Sequence, residues 1–210
     1  MITESMLDSL REDMRVRLSA SRYKHTLGVE KEMRVLAGIY MPTFVLKAAA
    51  AGLLHDVTKE LSLSEHTALC ERYGIAVLEK EGSSAALLHA KTGAFYARER
   101  YPLYVDDDVF SAIYKHTVAS EDMSLLDNLL YLADFIDEGR RYDACRAVRG
   151  AFYNGISSCN DKLAFLNEIM ILAYDASLDA LKRGGCYISE ETLLARKKAV
   201  QARFATDGKN

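Results

Sequence analysis

The sequence predicts an all-α helical bundle of eight or nine helices, one domain spanning residues 1–210. Three observations carry that expectation. Apolar residues recur at steps of three and four along most of the chain, the spacing of one face of a helix. Only two prolines, Pro42 and Pro102, interrupt it. No stretch alternates apolar and polar residues between paired turn signals, as a half-buried sheet requires.

The elements follow in chain order. "MLDSLREDMRVRL" sets Met6, Leu7, Leu10, Met14 and Leu18 on one stripe. "RYKHTLGVEKEMRVLAGIY" does the same with Val29, Met33, Leu36 and Ala37. Pro42 suits the first position of a helix, where an N–H would have no partner. The helix it opens carries "AGLLHDVTKE", Ala51 to Glu60. "LSLSEHTALCERYG" starts behind a Ser-x-Glu signal and puts His66 on a surface helix as an exposed or capping residue. "SSAALLHAKTGAFYARERY" opens on capping serines, Ser83 and Ser84, and stops before Pro102. "DDDVFSAIYKHT" begins with acids that suit the positive end of a helix. "SLLDNLLYLADFIDEG" closes at Gly139. "CRAVRGAFYNG" reads as a loop. "KLAFLNEIMILAYDASLDALKRGG" closes at Gly184 and Gly185. "EETLLARKKAVQARF" precedes a short polar tail. The chemistry-bearing motifs fall within 22–140, with flanking helices over 1–21 and 141–205.

Half of the residues are apolar, enough at this length for a substantial core. A net charge of -3 speaks against a basic surface for nucleic acid or an anionic membrane. No apolar run approaches the roughly 20 residues that span a bilayer. The opening "MITESMLDSLRED" has no apolar signal-peptide core. Cys70, Cys145, Cys159 and Cys186 are widely spaced, as reduced thiols are. Together these features predict a cytoplasmic protein.

Four of the five histidines, His25, His55, His89 and His116, lie on or near predicted helices among apolar or small neighbours. A lone helical histidine is usually a packed or hydrogen-bonded side chain. The set is what points to a metal. His55 and Asp56 offer a nitrogen and an oxygen donor side by side. Neighbours on a regular helix project about 100° apart, so both reach one ion only from a helix end or a distorted turn. The apolar run stops at that point. Asp134 sits in the apolar "LLYLADFID". A buried carboxylate needs a partner, and two readings stand: a salt bridge to Arg140 or Arg141, or a metal bond. Imidazole and carboxylate donors without thiolates suit Fe, Mn, Co or Zn.

In that order — His25, His55-Asp56, His89, His116, Asp134 — the residues resemble the HD-domain phosphohydrolase superfamily. "RYKHTLGV", "AAAAGLLHDVTKE", "LLHAKTGA", "AIYKHT" and "MSLLDNLLYLADFIDEGR" are similar to the YqeK family of bacterial diadenosine tetraphosphate (Ap4A) hydrolases. The resemblance implies an all-helical HD fold, an iron centre, and symmetrical cleavage of Ap4A into two ADP. It implies metal ligands at His25, His55, Asp56 and Asp134. It implies substrate contacts at Lys59, His89, His116, Thr117, Asp134 and Arg140. "TVASED" after His116 and "RYDACRAVRG" after Arg140 depart from the family's usual endings, in the region expected to hold substrate.

The chemistry expected is attack by a metal-bound hydroxide on one phosphorus. Asp56 would ligate the metal and orient the water. Lys59, Arg140 and a protonated His89 or His116 would offset charge on the leaving group. Tyr174 has two readings, an adenine contact or a core aromatic on a long amphipathic helix. The alternatives to Ap4A are an HD phosphohydrolase of other nucleotides, a nucleotide-binding HD module without catalysis, and a purely structural helical protein. The implied partner is a dinucleoside polyphosphate, with no nucleic acid and no membrane; a homodimer is compatible with the sequence.

Overall fold

A computed structural model of the chain describes residues 1–80, 82 and 84–207, without the side chains of 204–207. The described residues form ten α-helices: α1 (Glu4–Arg17), α2 (Ala20–Tyr40), α3 (Val45–Leu54), α4 (Leu63–Tyr73), α5 (Ala85–Arg100), α6 (Asp107–Lys115), α7 (Leu125–Ile136), α8 (Asp143–Gly155), α9 (Lys162–Arg183) and α10 (Glu190–Asp207). No strand occurs among them. No helix among the described residues is long and apolar enough to cross a membrane. All four cysteines are free.

Local chemistry sets the boundaries. Thr3, Ser19, Asp106 and Asp161 accept from backbone N–H groups of the first turns of α1, α2, α6 and α9. Ser62 with Glu65 and Ser124 with Asp127 form reciprocal capping boxes on α4 and α7. Gly74 stops α4 at φ 62°, a conformation that costs a side-chain-bearing residue more than glycine. Pro42 opens a short 3-10 turn, Pro42–Phe44, that leads directly into α3. Ser84 stands at the N-cap of α5 but makes no side-chain cap bond. Ser83 and the end of the polar tail, 208–210, lie outside the described residues.

α3 is the central element. It packs against α1, α2, α6 and α7. Its residues Ala48 through Leu54 are all buried, so it has no polar face. Small side chains let α2 come close: a Cβ on Gly52 would stand only 3.0 Å from the Glu30 backbone. One apolar cluster runs from Leu7 on α1 through α3 and α7 to Ala195 on α10. It holds the helix ends that carry the polar centre.

Two expectations change. The tenth helix is α8, over the segment that reads as a loop in sequence. Its buried face, Cys145, Val148 and Phe152, recurs at three and four, but arginines and Gly150 interrupt the stripe. His66 is neither exposed nor a cap. It is fully buried, with Nδ1 2.8 Å from Thr92 Oγ1. The cap is made by Ser62 and Glu65, and His66 shares the α5-facing side of α4 with Cys70 four residues on.

Candidate metal centre

α3 ends at Leu54, and the chain continues through tight turns. Val57 N–H bonds the Leu54 carbonyl, Lys59 N–H that of Asp56, and Leu61 N–H that of Thr58, each three residues back. Such tightening brings residues three apart onto one side. It presents His55, Asp56 and Lys59 together, the helix-end geometry that an adjacent His and Asp require. Neighbours fix the turn from outside. Arg17 Nε donates to the Val57 carbonyl at 2.9 Å. Glu60 accepts from the Ser19 N–H at 2.7 Å, and Thr58 Oγ1 donates to the His89 carbonyl at 2.9 Å.

Four helices bring the other donors in. His25 comes from α2, His89 from α5, His116 from the end of α6 and Asp134 from α7. His25 Nε2 lies 2.9 Å from Asp134 Oδ1 and 3.7 Å from Asp56 Oδ2. His55 Nε2 lies 3.3 Å from Asp56 Oδ2 and 3.8 Å from Asp134 Oδ1. On the other side of Asp56, Oδ1 faces His89 Nε2 at 3.2 Å and His116 Nε2 at 3.6 Å. His89 Nε2 and His116 Nε2 are 3.0 Å apart, with Thr117 Oγ1 3.1 Å and Lys59 Nζ 3.0 Å from His89 Nε2.

The remaining ring nitrogens explain which way these histidines point. Nδ1 of His55, His89 and His116 meets the carbonyls of Gly52, Ala86 and Ile113 at 2.7, 2.8 and 2.7 Å. A carbonyl only accepts, so each Nδ1 carries a hydrogen, and each ring turns its Nε2 inward. His25 Nδ1 is held by Asp137 Oδ2 at 3.0 Å. His25 Nε2, His55 Nε2 and Asp56 Oδ1 are buried without a hydrogen-bond partner. Buried lone pairs facing carboxylate oxygens call for a cation between them. Two overlapping donor groups meet that need, His25-His55-Asp134 and His55-Asp56-His116, with each group's ligand atoms within 4.8 Å of one another. Neither contains a thiolate. The donor set fits a first-row metal ion.

The charges agree. Burial opposes ionisation of Asp56, but His55, His116 and His89 around it hold its carboxyl well below the usual range. Burial likewise opposes Asp134, and Arg140 and His25 hold it low. Burial disfavours the His25 cation, yet Asp134 and Asp137 outweigh this and push its pKa up to about 9. Either a proton or a metal ion satisfies that demand for positive charge. His89 is pushed down by burial to about 4, and burial lowers His116 as well. Burial thus works against the imidazolium expected at either position. Burial also lowers Lys59.

The salt-bridge reading of Asp134 is met by Arg140, and Asp134 Oδ1 also faces His25 Nε2 at 2.9 Å. Arg141 stays exposed outside the cluster. Tyr174 is the one proposed substrate contact not brought to the centre. It is 2% exposed, packs on Tyr131, and turns its hydroxyl to Asn128 at 3.4 Å. That is the core-aromatic reading.

Three side chains were missed in the sequence. Arg22 Nη1 bonds Asp56 Oδ2 at 2.7 Å; it stands three residues before His25, on the same face of α2. Asp137 orients His25 and lies in the quoted "FIDEG". Gly28 and Gly139 make room for it, since a Cβ on Gly28 would lie 1.9 Å from Asp137 Oδ1. Arg149 on α8 donates to the carbonyls of Ile136 at 2.6 Å, Arg140 at 2.9 Å, and Asp137, clamping the segment that carries Asp137 and Arg140.

Comparison with known proteins puts this arrangement in context. Residues 22–139 match the HD domain family. The chain is 35% identical over 133 residues to the symmetrical bis(5'-nucleosyl)-tetraphosphatase of Halalkalibacterium halodurans, across 63% of this chain and 69% of that protein. It is 30% identical over 175 residues to the protein of the same name from Staphylococcus aureus, across 79% of this chain and 87% of that one. The crystal structure of a predicted HD superfamily hydrolase involved in NAD metabolism, from Clostridium acetobutylicum, superposes with a TM-score of 0.80 at 28% identity. That match covers 93% of this chain and 97% of the other.

Proposed function

This chain belongs to the HD domain family, and we infer that it hydrolyses diadenosine tetraphosphate symmetrically into two molecules of ADP. The observation that carries the reading is the set of inward Nε2 lone pairs set against Asp56 and Asp134 and rimmed by Arg22, Lys59 and Arg140. Imidazoles and carboxylates provide for a metal, and the cations for a polyphosphate. In this reading His25, His55, Asp56 and Asp134 hold the ion, with iron as the metal and Mn, Co or Zn as substitutes. When bound, the metal supplies Lewis-acid polarisation of phosphate oxygens and acidifies water at neutral pH.

The chain's own groups do the rest. Asp56, ionised and flanked on both oxygens, accepts a hydrogen from the attacking water and fixes its direction. Water oxygen bonds to one of the two central phosphorus atoms, and the bond from that phosphorus to the bridging oxygen breaks. The bridging oxygen leaves on the second ADP. Arg22, Lys59 and Arg140 offset the charge that spreads over the phosphate oxygens, each such donor being worth about 10²–10³ in rate. Thr117 donates its hydroxyl hydrogen to the phosphates, and the inward Nε2 atoms of neutral His89 and His116 accept from the water around them. The four free thiols accord with the reducing cytoplasm as its compartment.

The test is product analysis after anaerobic purification. Protein containing iron, or refilled with Mn, Co or Zn, should turn Ap4A into ADP alone. AMP plus ATP as products, or preferred turnover of nucleoside mono- or triphosphates, would replace this reading with an HD phosphohydrolase of other nucleotides.

A further inference from the structure

A cavity of about 1090 Å³ opens on the outer side of the centre, between the start of α2 and the segment joining α7 to α8. His25 and Arg140 belong to both, so a ligand seated on the centre extends into this space. The inner cations are engaged: Arg22 pairs with Asp56, and Arg140 with Asp134. The cavity's acids are engaged too, Asp137 with His25 and Glu138 with Lys31. That leaves Lys24 and Arg141, which line the cavity, are exposed, and have no ion-pair partner among the described residues.

Beside them stands Tyr142, also lining the cavity and 74% exposed. Neither packing nor capping accounts for a tyrosine there. Its ring is outside the core cluster, and its hydroxyl has no hydrogen bond among the described residues. It occupies the N-cap of α8, where a short Ser, Thr, Asp or Asn would stabilise the helix, yet its side chain makes no cap bond.

We propose that Tyr142, with Lys24 and Arg141, forms the nucleoside end of the substrate site, the phenol ring stacking on the purine and the two cations holding the phosphate nearest the ribose. Every base offers a π-face, and aromatic stacking on it is a recurrent means of holding nucleotides. Two unpaired cations next to the ring suit a phosphate a few ångströms from the base. This assignment rests on the nucleotide-hydrolase reading and extends it, moving the base contact from Tyr174 to Tyr142.

The chain contains no tryptophan, so Tyr142→Trp places a single indole in the cavity mouth. Its fluorescence should be quenched saturably by ADP and far less by pyrophosphate, which carries the same phosphates without a base. Tyr142→Ala should raise KM for Ap4A and the inhibition constant of ADP roughly tenfold or more, with a smaller change in kcat. The inhibition constant of pyrophosphate should stay within about twofold, and Tyr142→Phe should behave as wild type. Arg141→Ala should weaken ADP and pyrophosphate together. An indole indifferent to ADP, with unchanged ADP inhibition in Tyr142→Ala, overturns the subsite even if Ap4A is hydrolysed. Quenching by ADP in a protein that leaves Ap4A intact keeps the subsite and sinks the Ap4A reading instead.

Discussion

The two sides of the metal centre are oriented by different means. His55, His89 and His116 are aimed by carbonyls of their own helices, each three residues back. His55 and His116 close α3 and α6, where the last carbonyls have no helical partner and are free to accept. His25 lies inside α2, and its Nδ1 is held by no carbonyl of its own helix. It takes its acceptor from Asp137, 112 residues away in sequence. One side therefore depends on local backbone that no substitution can remove. The other depends on a carboxylate, two glycines that admit it, and the Arg149 clamp. The first side should tolerate changes around it, and the second should not.

That contrast can be broken at several points. The largest effect is expected where both sides meet, at Asp56. Asp56→Ala should lose metal and hydrolysis together, by more than the roughly 10- to 100-fold typical of losing a residue behind a ligand. Metal-to-protein ratio and Ap4A turnover measure it, with circular dichroism still helical. Full metal retention would mean that Asp56 is not a ligand. Next comes Asp137→Ala, which should weaken metal binding about 10- to 100-fold by freeing the His25 ring. Gly28→Ala should reproduce that loss through crowding alone, since its Cβ would occupy the place of Asp137 Oδ1. Arg149→Ala touches no metal donor, yet it takes a hydrogen bond from each of three carbonyls, of which that of Asp137 keeps the Arg140 N–H. It should cost about 1–3 kcal/mol of stability by chemical denaturation, with turnover reduced in the folded protein. On the local side, Ala86→Ser next to His89 should leave metal content unaltered, because the acceptor is backbone.

His66 gives the smallest effect and separates a buried histidine away from the centre from the four that face it. Burial lowers its pKa from the ordinary 6.5. The unfolded chain therefore binds a proton more readily than the folded one, so stability falls as pH drops through about 6.5. In His66→Gln that part of the slope should vanish from denaturation curves taken between about pH 7 and 5, while Ap4A turnover is retained. A steep loss of turnover in this variant would put His66 among the functional set.

Much of this was legible beforehand. The order His25, His55-Asp56, His89, His116, Asp134 is written in the sequence, and the end of the apolar run at His55 announced a helix terminus presenting donors. What was not legible is whatever depends on pairing across the fold. Arg22, Asp137 and Arg149 act through partners 34, 112 and 9 to 13 residues away. Nothing in their own neighbourhood distinguishes them from solvated charges. α8 escaped because arginines and a glycine dilute its apolar stripe, one of those arginines being Arg149. His66 was misread because a Ser-x-Glu start draws the eye to the cap, whereas Cys70 four residues on marks the buried face. The charge state of His89 was also out of reach, because burial decides it and sequence does not report depth.

The His25–Asp137 bond has a further consequence, in time rather than in space. Closing a 112-residue loop carries an entropy cost that only long-range packing repays, whereas a ring bonded to its own helix is aimed once that helix forms. During synthesis from the amino end, α3, α5 and α6 with three of the inward-facing imidazoles precede α7 and the Asp137 segment. The centre thus assembles in two stages, a His55–Asp56–His116 half first and the His25–Asp134 half last. An ion captured early would meet His55, Asp56 and His116 alone, and the arrival of α7 would add Asp134.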